Sequence, residues 1–176
     1  MNFENESESI KYPSIANEIK SMYALDQAMR IKAESDSEFW DERVDRDHTE
    51  RMKLIVSEIG WPSISKVGTE ISYDAWLLVQ HADHDVEFQK YCLELMKQEG
   101  DVDVINMAYL EDRIRVNSNE LQVYGTQFTQ IDNQHVPQPI ENEAAVDERR
   151  AAIGLSSLAE HIKQMYVKYP LTTDSK

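Results

Sequence analysis

The string Gln80-His81-Ala82-Asp83-His84-Asp85 sets two imidazoles and two carboxylates directly after the apolar run Ala75–Val79. Imidazole is the side chain whose ordinary pKa lies nearest neutrality, and a neighbouring carboxylate fixes its tautomer and favours its protonated form. His81 is therefore the first candidate for general acid–base chemistry, with Asp83 or Asp112 as the carboxylate that orients it. The competing reading is a core histidine whose hydrogen bonds are satisfied. His81 and His84, three residues apart, would approach one metal ion if the helix ran on. A zinc site takes three or four ligands, however, and the chain has a single Cys and no H-E-x-x-H spacing. No metal and no cofactor is expected; Asp83 or Asp85 caps the next helix and His84 faces water.

Other groups could share a site with His81. His48 lies on an inner helical stripe with Asp45 one turn before it, which suggests an Asp–His pair or a buried hydrogen bond between helices. Arg113 follows Glu111-Asp112, and Arg150 follows Asp147-Glu148-Arg149. Either guanidinium could clamp a carboxylate or phosphate through two parallel hydrogen bonds, or be consumed by ion pairs within the chain. In Tyr124-Gly125-Thr126-Gln127 a Gly inside a strand-like pattern allows close backbone approach, beside hydroxyl and amide groups that can hydrogen-bond a ligand. The alternative there is a β-bulge. No G-x-S-x-G elbow, Walker loop or dinucleotide G-x-G-x-x-G is present, and Cys92 falls on a core face where a thiolate is disfavoured.

A chain of 176 residues, 41% of them hydrophobic, is long enough to bury one core. Eighteen basic against 33 acidic residues leave a net charge of −15. That charge repels phosphate backbones and anionic lipid, so neither nucleic acid nor membrane is expected as a partner, whereas a basic protein is an admissible one. One Cys, no basic-then-apolar leader and no apolar stretch near the roughly 20 residues of a membrane span point to a cytoplasmic protein.

These groups must be positioned by helices. Residues 1–13 are polar and acidic without periodicity and read as a mobile arm; residues 171–176 read as a flexible tail. Ile15, Ile19, Met22 and Met29 mark a first helix from Ser14 to about Ala33, with Asp26 and Arg30 placed for an i,i+4 pair. A second runs from Ser37, as N-cap, to Ile59 with the stripe Val44, His48, Met52, Ile55, Ile59, and Gly60-Trp61-Pro62 ends it. A third, after Val67-Gly68, is apolar on most sides and ends at His81. A fourth reaches Gln98 with Phe88, Cys92, Leu95 and Met96 as its core side, and a fifth spans about Val102–Arg115. Leu121–Ile131 alternates and reads as a hairpin or two-stranded flap. Two last helices, near Asn142–Ala152 and Ser156–Lys168, flank Gly154, with Ser156 as cap of the second.

Several of these strings together resemble an uncharacterised family of bacterial proteins, a domain of unknown function. They are Gly60-Trp61-Pro62, Val67-Gly68, Ala75-Trp76-Leu77-Leu78, Gln80-His81-Ala82-Asp83, Phe88-Gln89, Tyr109-Leu110 with Asp112-Arg113, Gln122, Tyr124-Gly125-Thr126-Gln127, and Arg149-Arg150 with Gly154-Leu155. The resemblance supplies no activity. It favours His81 and Asp83 over His84 and His48, and it draws Trp61, Gln80 and Gln89 into the expected substrate-binding set.

The expectation is thus a mainly α protein: a single domain over residues 14–170, of six to seven helices with a small β-hairpin. The hairpin and the end of the third helix are expected to meet over a polar cleft. That cleft would bind a small polar or anionic molecule, with His81, Asp83 and Asp112 as the acid–base group. Trp61, Gln80, Gln89, Arg113, Tyr124, Thr126, Gln127 and Arg150 would hold the substrate. The alternative is an acidic, immunity-type module that binds a basic protein and catalyses nothing.

Overall fold

Ile15, Ile19, Met22 and Met29 do form one buried face of a helix, α1 (Pro13–Ser35), in the computed structural model, which describes residues 10–171. Most of the expected arm and tail lies outside the described residues, although the backbone N–H of Tyr12 donates to the carbonyl of Lys66 at 3.0 Å. The chain folds into two compact units that divide between Asp103 and Val104.

In the first unit α1 is followed by a 3-10 turn (Ser37–Phe39), α2 (Glu42–Ile59), α3 (Ile64–Val67), α4 (Thr69–Gln80) and α5 (Val86–Glu99). The second helix does not start at Ser37. Asp36 accepts the N–H of Glu38 and starts only the 3-10 turn, while Asp41 accepts the N–H of Arg43 at 3.0 Å and caps α2. Two short acidic caps in succession thus break what periodicity alone reads as one helix. α4 packs against α1, α2, α3 and α5, which explains its near-continuous apolar content. Asp85 caps α5, accepting the N–H of Phe88, and Gly100 closes it in the left-handed conformation (φ 68°). Leu93, not Leu95, joins Phe88, Cys92 and Met96 in the core.

The second unit contains α6 (Val104–Asn117), the antiparallel strands β1 (Phe128–Ile131) and β2 (Gln134–Pro137), a 3-10 turn (Glu143–Ala145), α7 (Val146–Ala152) and α8 (Leu158–Lys168). The hairpin begins seven residues later than the alternation from Leu121 suggests, 128 against 121. Its turn is set by Asp132 and Asn133, both at positive φ (48° and 58°), the conformation a two-residue hairpin connection requires and Asx residues tolerate. Ser157, not Ser156, caps α8 by accepting the N–H of Glu160. The fold is mainly α, with eight helices and one small hairpin among the described residues, and no helix there is long and apolar enough to cross a membrane.

Candidate functional site

His81 closes α4: its N–H donates to the carbonyl of Leu77, and its side chain reaches back to α1. There Nδ1 lies 2.9 Å from Oδ1 of Asp26, a carboxylate only 1% exposed. Two more donors serve the same group, Arg30 Nε on Oδ1 at 3.1 Å and Gln27 Nε2 on Oδ2 at 2.8 Å. The guanidinium of Arg30 continues to α2, where Nη2 donates to Oδ1 of Asp45 at 2.7 Å, and its face lies under the Trp40 ring. The expected orienting acids, Asp83 and Asp112, are replaced by Asp26 at Nδ1. A carboxylate this deep is tolerated only when paired on both oxygens, and α1 supplies two of the three partners within one turn.

The electrostatics follow from that pairing. Burial drives the Asp26 carboxyl up, but the His81 hydrogen bond and the charges of His81 and Arg30 outweigh it and hold the group below its usual range. Asp45 is pushed up by burial, which Arg30 only partly offsets, with Asp26 adding repulsion. Burial also lowers His48, despite the field of Asp26 and Asp45. Its Nδ1 is buried and finds no hydrogen-bond partner among the described residues. Of the two readings of His48, an Asp45–His48 pair or a buried hydrogen bond between helices, neither is seen at Nδ1; Asp45 is bonded by Arg30 instead.

With Nδ1–H held by Asp26, a neutral His81 carries its lone pair on Nε2. The side chain is 17% exposed, and no described residue hydrogen-bonds Nε2. Nε2 is therefore the ring atom left to face a ligand. Ligand atoms of Asp26, Asp45 and His81 also lie within 4.8 Å of one another. A divalent ion could be ligated there only if Arg30 withdrew, since its guanidinium already spans both carboxylates and supplies the positive charge.

The flanking residues have structural duties. Gln89, fully buried, donates Nε2 to the carbonyls of Val79 and Gln80 at 3.1 and 3.3 Å, satisfying the open end of α4. Asp83 is exposed and accepts weakly from the same amide at 3.4 Å; His84 is exposed. Trp61 is sealed in the core and Gln80 is buried beside the helix end. Two turns before His81, Asp74 is 3% exposed, and burial, reinforced by Glu70, pushes its carboxyl up to about 6.

In the second unit Asp112 is a hub. Its two oxygens accept the N–H groups of Val123, Tyr124 and Thr126 at 2.6, 3.0 and 2.9 Å and the Thr126 hydroxyl at 2.9 Å. Residues 121–127 are consequently a loop wrapped on a carboxylate, not a strand. Gln122 fixes it further, donating to the carbonyls of Gln127 and Gln138 and accepting the N–H of Gln127. Gly125 is required: φ is +68°, and a Cβ would lie 2.8 Å from Ile140 Cδ1 and 3.0 Å from Leu158 Cδ1. Gln127 accepts from Arg113 Nη1 at 3.3 Å. Arg150, fully buried, donates Nε to the Ser156 carbonyl and Nη1 to the Tyr124 carbonyl, both at 2.6 Å.

Local spacing pairs Asp26 with Arg30 but does not assign it to the site, although a signal for its burial is present. Positions 15, 19, 22, 26 and 29 continue one helical stripe, so an acid at 26 falls on the buried face.

No curated protein and no solved structure matches the chain. One family model does, over residues 13–174, nearly the whole described chain. The protein belongs to that group, the family of unknown function DUF6624.

Proposed function

We propose that the first unit is a proton-transfer centre acting on a small polar or anionic molecule, with His81 Nε2 as the acid–base atom. The observation that carries this is the Nδ1 bond to an ion-paired, buried Asp26, which leaves the opposite nitrogen of a partly exposed ring without a described partner. Asp26 is the positioning residue: it fixes tautomer and ring plane. Arg30, itself tied to Asp45, in turn holds Asp26, so the pair is preorganised before any substrate arrives.

The test is a comparison of metabolite pools by mass spectrometry after incubation with the wild-type protein or His81→Ala. Consumption of a polar metabolite by the wild type alone, from two proteins with closely similar thermal midpoints, supports the reading. Identical pools, or a variant that no longer folds, would contradict it. A second reading, recognition of a basic protein without catalysis, draws on the net charge of −15. In that case binding weakens steeply with salt and is indifferent to His81→Ala.

A further inference from the structure

We propose that Arg150 and His161 form a buried seat for a small anion in the second unit, accepting a single carboxylate group or a halide. Arg150 has no exposed surface, and a guanidinium in that setting is costly unless an anion or a full set of acceptors compensates it. The described residues provide neither. Nε and Nη1 are taken by the carbonyls of Ser156 and Tyr124, but Nη2 is buried and, among the described residues, has no hydrogen-bond partner and no carboxylate in an ion pair with the group. The two acids whose fields reach it are engaged elsewhere: Asp147 accepts the N–H of Leu158 at 2.7 Å, and Asp112 holds the 123–126 loop.

A second buried atom without a partner lies nearby. His161 is 8% exposed; a hydrogen bond with Gln164 serves its ring, but its Nε2 is buried without a hydrogen-bond partner among the described residues. The Tyr109 and Phe128 rings meet it edge-on, with centroids 6.2 and 5.2 Å away. Contacts trace the proximity to Arg150: Nη1 is 3.5 Å from the Gly125 carbonyl, Gly125 packs on Leu158, and His161 follows Leu158 by one turn of α8. Burial, and then the charge of Arg150, lowers the His161 pKa, while burial lowers that of Arg150. Both shifts follow first from burial in a dry site. One negative charge between Nη2 and Nε2 would satisfy both donors, with His161 adopting the Nε2–H tautomer. This seat is independent of the His81 reading and stands or falls without it.

The test uses the full chain, wild type and His161→Phe, which preserves an aromatic ring against Tyr109 and Phe128 but removes the donor. Thermal midpoint in both proteins, and the His161 ring resonances in the wild type, are followed against sodium chloride and sodium acetate, with sodium gluconate as a bulky control at equal ionic strength. A saturable wild-type response to chloride or acetate beyond the control, at least tenfold weaker in His161→Phe, supports the seat. Tighter response to acetate assigns it to the carboxylate of an organic ligand, and tighter response to chloride to the inorganic ion. If all three salts act alike on the wild type, or the variant responds as the wild type does, the proposal is overturned.

Discussion

Asp26 in the first unit and Asp112 in the second are both sealed from water, at 1% and 0% exposure, and they are satisfied in opposite ways. Asp26 is surrounded by side chains, two of which carry or can acquire charge: His81, Arg30 and Gln27. Asp112 is surrounded by main chain, three N–H groups and one neighbouring hydroxyl. A carboxylate held by backbone donors fixes the path of a loop and has little else to give. One held by an imidazole and a guanidinium couples its charge to a group that can exchange protons with a ligand. The difference separates a structural hub from the centre proposed for chemistry without any appeal to which residue types are present, since both are Asp on a helix.

The largest test of that contrast is Asp112→Ala. It strands four donors in a dry site and is expected to cost about 4 kcal/mol in denaturant unfolding. A loss below about 1 kcal/mol would break the comparison. Asp26→Asn is next, at about 3 kcal/mol, because it leaves Arg30 and His81 without their shared charge. Its pH dependence has a definite sign. The folded Asp26 pKa lies below its ordinary 3.8, so its stabilisation is complete above 3.8 and is lost as pH falls through the folded value. The Asn variant should therefore lack part of the wild-type acid limb below about pH 4.

Asp74 is a third buried carboxylate, with neither kind of shell. Its pKa is raised to about 6 from 3.8, so the folded state binds more protons in between and wild-type stability rises as pH drops through that window. Asp74→Asn should stabilise the protein by about 2 kcal/mol at pH 8, and the gain should vanish near pH 4. His81→Ala is the smallest, about 1 kcal/mol or less, because Asp26 keeps Arg30 and Gln27. It should nonetheless abolish the activity sought by metabolite comparison.

Much of the helical frame was legible from local chemistry. Gly60 and Gly100 stop α2 and α5, Asp85 caps, and the α4 apolar run is the centre of its unit, because each signal lies within a few residues of the feature it sets. His81 stood out for the same reason, at the end of that run. Its partner did not, since Asp26 is 55 residues away in sequence and local spacing offered Asp83 instead. The Asp26–Arg30 pair was visible as i,i+4, but its burial was visible only by counting Asp26 into the stripe with Met22 and Met29. The loop at 121–127 differs from the strand its sequence suggests for a related reason. Alternation of Leu121 and Val123 mimics a strand, while the Asp112 carboxylate that overrides it comes from α6.

The central claim concerns one nitrogen, and long-range proton–nitrogen correlation of the His81 ring tests it directly. The neutral ring is predicted to carry its proton on Nδ1 and leave Nε2 bare in the wild type, and to lose that preference in Asp26→Asn. A wild-type ring protonated on Nε2, or one unchanged by Asp26→Asn, would contradict the account.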